Sequence, residues 1–174
     1  MKFPNNKTII IAEIGPNHNG SLKKACTMIK QLSKTGVDFI KFQIGDVDKV
    51  YSKDSYKADY QKKNDNSKSI IDMSKKNQLT KNEHVTLSRL CKKKNVGYLC
   101  SAFDLESLKF LINKIKIPII KVPSGEITSY DMLRYMSKIN KKIILSTGMS
   151  NIKEINAALK VLNKKNKKEI TLMH

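Results

Sequence analysis

The chain has 174 residues, 40% of them hydrophobic and 6% aromatic, with 34 Lys and Arg against 15 Asp and Glu. That length suits one domain with a sizeable core and excludes two full domains. Its longest apolar runs, Ile9–Ala12 and Ile117–Val122, fall far short of the ~20 residues a membrane-spanning helix requires, so no membrane partner is expected.

The opening Met1-Lys2-Phe3-Pro4-Asn5 shows no apolar run before a small-residue cleavage site, so no secretory signal is expected. Cys26, Cys91 and Cys100 form no Cys-x-x-Cys pair. Reduced thiols in the cytoplasm, buried and structural, are the expectation. The net charge of +19 raises nucleic-acid binding as a function. Its placement argues otherwise: Lys92-Lys93-Lys94, Lys141-Lys142 and the cluster from Lys164 to Lys168 fall at helix ends and turns, where cations suit helix C-termini and solvent. Few aromatics interleave with them. A solvated basic surface is expected.

Along the chain, short apolar strands alternate with amphipathic helices. Thr8–Glu13 reads as the first strand, with Ile9, Ile11 and Glu13 on one face. Asn17–Ser21 is a turn that ends on a good N-cap, and Leu22, Ala25, Cys26, Ile29 and Leu32 recur at helical spacing until Gly36. Val37–Gln43 is the second strand. The stretch from Ile44 to about Ser67 has no periodicity and is too long for an ordinary connection, so it is a functional loop or disordered. Helices are expected over 68–76 and 82–94, the second capped by Thr80. Then come a strand over 97–102, a helix over 105–114, a strand over 117–122, a helix over 129–139, a strand over 142–146 and a helix over 152–164. Glu169–His174 opens a sixth strand. Such alternation implies parallel βαβ units. The Rossmann phosphate loop is missing, since Gly15–Gly20 is not Gly-x-Gly-x-x-Gly, and polar strand ends suit an α/β (β/α)8 barrel. About five βα units plus the start of a sixth strand make that barrel incomplete, one partial barrel domain over 1–174.

The strand C-termini carry the chemistry. They offer Glu13, then Lys41 and Gln43 on one face, then Ser101, then Lys121 followed by Pro123-Ser124-Gly125-Glu126, then Ser146-Thr147-Gly148. An ammonium in an apolar strand costs several kcal/mol unless paired. Lys41 and Lys121 therefore need anionic partners, either Glu13 and Glu126 or a bound anion. Taken singly, these features have plainer readings: a structural Lys–Glu pair, ordinary Ser-Gly and Thr-Gly turns, and a loop His18 making local hydrogen bonds. His84 is expected on the surface at a helix start. Three scattered histidines show no zinc spacing. Together, two lysines, several hydroxyls and two carboxylates describe a pocket for a small, doubly anionic ligand.

Ala12–Gly20, Lys41-Phe42-Gln43, Tyr60–Asn64, Pro123–Glu126, Leu145–Met149 and Leu172-Met173-His174 recur in this order and spacing in the sialic-acid synthases, the N-acetylneuraminate, legionaminate and pseudaminate synthases among them. The chain resembles that family from about Thr8 to His174. The resemblance implies a barrel followed by an antifreeze-like domain, condensation of phosphoenolpyruvate with an N-acetylated hexose such as N-acetylmannosamine, release of phosphate, and a nine-carbon 2-keto acid. It implies a swapped homodimer and a divalent metal, typically Mn2+, whose ligands are expected beyond residue 174. His174 itself is left unassigned.

By motif, Lys41, Lys121, Ser124 and Ser146 match positions that hold phosphoenolpyruvate, and Ser101 sits where the family has a hydroxyl in that pocket. Gln43 and Asn19 match positions near the sugar, Asn19 being a departure because some relatives have Glu there. The segment from Tyr60 to Asn66 is expected near the sugar. Glu126 matches a carboxylate beside the reacting carbons, placing it with Lys121 among the catalytic candidates. The alternatives are another phosphoenolpyruvate-dependent keto-acid synthase or aldolase-type barrel, an inactive fragment, or a basic binding protein.

Overall fold

The computed structural model describes residues 8–52, 54–163 and 169–174. Six strands follow one another in chain order in one sheet: β1 Ile11–Glu13, β2 Phe39–Ile44, β3 Gly97–Ala102, β4 Ile119–Val122, β5 Lys142–Ser146 and β6 Ile170–Met173. The chain resolves into two compact units, Ile9–Tyr98 and a second containing Leu99–His174.

In the first unit, β1 and β2 pair in parallel, with Ile11 beside Phe39 and Glu13 beside Lys41. Phe39, Ile40 and Phe42 are buried in β2, and Ile40 and Phe42 are wholly inaccessible. A strand buried on both faces reads as a continuous apolar run rather than an alternation, which is why Lys41 stands out. Gly97 gives the ring of Phe39 room: a Cβ there would lie 2.3 Å from the ring edge. Helix α1, Leu22–Leu32, starts where expected, with the hydroxyl of Ser21 accepting from the Lys24 amide. Helix α5, Lys81–Lys93, opens on a reciprocal capping box. The Thr80 hydroxyl accepts from the Glu83 amide and the Glu83 carboxylate accepts from the Thr80 amide.

Between β2 and α5 the polar segment is ordered. It holds α2 (Val47–Val50), α3 (Asp59–Asn64) and α4 (Ile70–Asn77). Its fastener is Lys57, whose Nζ is buried and donates to the Asp65 carboxylate and to the carbonyls of Asp65 and Ser67, each at 2.8 Å. These bonds, with others from Ser67, drive the Asp65 carboxyl far below the ordinary carboxylate range. Lys75 on α4 also pairs with Asp48 on α2 at 2.8 Å.

The second unit is a parallel run. Ser101 of β3 lies beside Lys121 of β4, β4 pairs with β5 from Ile119–Lys142 to Val122–Leu145, and β5 pairs with β6. Asp104 caps α6, Leu105–Phe110, which continues through a wider turn over Leu111–Ile115 and stops at Lys116 in the left-handed region, φ 62°. Helix α7, Tyr130–Ser137, buries Met132, Leu133 and Met136, and helix α8, Ile152–Leu162, buries Ala158 and Leu162. The Asn151–Glu154 pair forms another capping box on α8. The basic run from Lys164 to Lys168 lies outside the described residues.

Two expectations are corrected. His84 is not on the surface: it is fully buried on the inner stripe of α5 with Leu87 and Cys91. The thiols are free, but only Cys91 and Cys100 are buried, Cys26 being half-buried. Burial pushes the Cys91 thiol up to about 12, with nearby Cys26 adding to it. Among the described residues no helix is long and apolar enough to cross a membrane.

Candidate functional site

In the first unit the expected residues gather at the end of β1 and β2. Lys41 is 9% exposed and forms an ion pair with Glu13, its register partner. Gly15 follows at φ 51°, a conformation in which side chains are rarely accommodated. A Cβ there would stand 3.4 Å from the Glu13 carboxylate and 3.5 Å from the Gln43 amide, so Glu13, Gln43 and the turn share one corner. Both the Ile14 and Gly15 amides donate to the Lys41 carbonyl, fixing that corner to β2. Asn19 is exposed in the following turn at φ 50°.

His18 is buried, and its Nδ1 accepts from the Gly20 amide at 3.1 Å, the local bond that the sequence suggests. Beneath it lies an aromatic cluster: Phe42 stacks on Tyr98 with centroids 5.5 Å apart, and His84 meets both edge-on. His84 Nδ1 shares a 2.7 Å hydrogen bond with the Tyr98 hydroxyl, and its Nε2 has no partner among the described residues. Burial lowers the His84 imidazole to about 4, with His18 adding to the effect. His18 is also lowered by burial, with Glu83 opposing.

In the second unit Lys121 is 7% exposed; its Nζ donates to Ser146 Oγ at 2.7 Å and to the Val122 carbonyl at 3.0 Å. Ser101, beside it in the register, is fully buried with a hydroxyl that has no partner among the described residues. Ser124 opens the turn after β4, and its hydroxyl lies 3.7 Å from where a Cβ on Gly148 would project. Thr147, which follows Ser146, donates its hydroxyl to the Met173 carbonyl at 2.9 Å. Thus Ser101, Lys121, Ser124 and Ser146 belong to the strand ends of one unit. Glu126 closes the 3-10 turn Ser124–Glu126. Burial raises its carboxyl above the ordinary range, the Ser129 hydroxyl opposes that, and Asp131 and Asp104 add to it.

The second unit thus brings together a buried ammonium, hydroxyls on the neighbouring strand ends and a carboxylate at the next turn. Among the described residues no three His, Cys, Asp or Glu side chains gather as a metal ion would require. Sequence reasoning missed the Lys57 fastener and the His84–Tyr98 bond.

The model of the NeuB family matches residues 28–174. The chain belongs to the NeuB family. It is 45% identical over 171 residues to the N,N'-diacetyllegionaminic acid synthase of Campylobacter jejuni, covering 97% of this chain and 51% of that protein. It is 35% identical over 151 residues to the Legionella pneumophila enzyme of the same name, covering 86% of this chain and 42% of that protein. The solved N-acetylneuraminic acid synthetase of Leptospira borgpetersenii, in complex with citrate, superposes with a TM-score of 0.84 at 28% identity. That match covers 98% of this chain and 54% of the other. This NeuB family chain thus spans about half the length of the relatives it matches, and its fold class is that of an incomplete (β/α)8 barrel.

Proposed function

We propose that the chain supplies the phosphoenolpyruvate-binding part of a synthase. That synthase condenses phosphoenolpyruvate with an N-acetylated hexose, giving a nine-carbon 2-keto sugar acid and inorganic phosphate. The carrying observation is the Lys121–Ser146 pair, with a buried Ser101 hydroxyl on the adjacent strand that has no partner among the described residues. A buried ammonium and hydroxyls held by strands are preorganised for a phosphate or carboxylate and need little rearrangement to meet it. Sialic-acid-type synthases among the relatives favour this reading over the other phosphoenolpyruvate-using barrels.

In this reading Ser101, Lys121, Ser124 and Ser146 of the second unit hold phosphoenolpyruvate; for the first unit, the family resemblance assigns Lys41 to the same substrate and Gln43 and Asn19 to the sugar. Carbon 3 of phosphoenolpyruvate forms a bond to the aldehyde carbon of the open-chain sugar, whose oxygen takes a proton. Positive charge then develops at carbon 2. Glu126, with a carboxyl of raised proton affinity, stabilises that charge or takes a proton from the water that adds there. Cleavage of the carbon 2–oxygen bond releases phosphate and leaves the ketone. Among the described residues no side-chain cluster fits the divalent metal that the resemblance implies, Mn2+, and no step is routed through it. The homodimer and a cytoplasmic location belong to the same proposal.

The test is phosphate release from phosphoenolpyruvate by the full-length protein, with N-acetylmannosamine or a di-N-acetylated hexose and Mn2+. Activity with a phosphorylated aldose and none with N-acetylhexosamines would overturn the assignment in favour of a keto-acid phosphate synthase.

A further inference from the structure

Several polar residues that precede helices here act alike. Ser21, Ser69, Thr80, Asp104 and Asn151 each accept a backbone N–H from the first turn of the helix they open. Ser129 occupies the same position before α7 and makes no such bond. Its hydroxyl donates instead to Glu126 Oε2, at 2.5 Å. A serine cap ordinarily stabilises the helix it opens. The hydroxyl is diverted from that role to a carboxylate, where a charge-assisted bond is the stronger one. The backbone locks the same corner: the Glu126 amide donates to the Pro123 carbonyl at 3.0 Å, and the Ser129 amide to the Glu126 carbonyl at 3.1 Å. Ser129 therefore holds Glu126 by main chain and side chain together.

We propose that Ser129 is a positioning residue for Glu126, fixing the orientation of its carboxylate beside the reacting carbons. This rests on the role given to Glu126 above. The charged groups that act on Glu126 are Asp131 on α7 and Asp104 at the head of α6. Burial and those two carboxylates raise its proton affinity, and the Ser129 hydrogen bond opposes them. Removing the hydroxyl therefore moves the ionisation of Glu126 to higher pH, and the acid limb of the rate profile moves with it.

The experiment compares Ser129→Ala, Ser129→Thr and Glu126→Gln with the wild type in the full-length protein, measuring kcat and KM across pH. A lost hydrogen bond to a charged group corresponds to a fall of about tenfold or more in kcat. Ser129→Ala is expected to show that fall, with the KM for phosphoenolpyruvate held and the acid limb displaced to higher pH. Ser129→Thr, which keeps the hydroxyl, restores both. Glu126→Gln is expected to be inactive. If Glu126→Gln turns over like the wild type, the role of Glu126 fails and the inference falls with it. If Glu126→Gln is inactive while Ser129→Ala keeps the wild-type kcat and acid limb, the inference alone is overturned. A fall in thermal stability without movement of the limb marks a merely structural serine and overturns it equally.

Discussion

Acid should loosen the fold through His84. The imidazole is fully buried among Phe42, Leu87 and Tyr98, and burial lowers it from 6.5 to about 4. The folded state therefore favours the neutral ring, and the unfolded chain binds the extra proton between those two values. Stability from this residue is full above pH 6.5 and is lost as the pH falls toward 4. At about 1.4 kcal/mol per tenfold change in proton affinity, that interval is worth about 3 kcal/mol, a large share of a domain's 5–15 kcal/mol, roughly. His18, lowered by burial as well, adds a loss of the same sign. Urea unfolding followed by far-ultraviolet circular dichroism across this pH range measures the slope. His84→Asn offers an amide to the Tyr98 hydroxyl without a titrating ring, so it is expected to flatten the slope by His84's share. Identical slopes in the two proteins would refute the reasoning.

Ser101→Ala removes a buried hydroxyl that has no partner among the described residues. It is expected to leave stability within about 0.5 kcal/mol of the wild type while raising the KM for phosphoenolpyruvate about tenfold. Thermal melting and initial rates check the two halves, and an unchanged KM would contradict them. Lys57→Met strips three hydrogen bonds from the loop between β2 and α4. Limited proteolysis mapped by mass spectrometry should then cut faster between Ser52 and Ser69, and a wild-type cleavage pattern would argue that the loop is held by other contacts.

The strand–helix alternation was legible because helices such as α1, α5 and α8 carry an apolar stripe and a side-chain cap, Ser21 and Thr80 being the plainest. The site was legible as chemistry out of place: Lys41 and Lys121 interrupt apolar strands, and the structure places both below 10% exposure. His84 was misplaced because its position near a helix start suggests solvent. Its spacing with Leu87 and Cys91, three and seven residues on, was the signal that puts it inward. The segment from Ile44 to Ser67 stayed opaque for a physical reason. It is fastened by long-range bonds, among them one buried lysine reaching acceptors eight and ten residues away and the Lys75–Asp48 pair, and no periodicity records such bonds. The strands also start later than their apolar runs, as at β4, where Ile117 is buried but pairing begins at Ile119.

The most direct measurement of the central claim is phosphoenolpyruvate saturation in the full-length protein with Lys121→Ala beside the wild type, read as phosphate release with an N-acetylhexosamine acceptor. Lys121 Nζ lies buried at 2.7 Å from Ser146 Oγ and is the charge assigned to the substrate anion. The account predicts acceptor-dependent phosphate release by the wild type and no saturable phosphoenolpyruvate binding in the variant. A near-normal KM in the variant would contradict it.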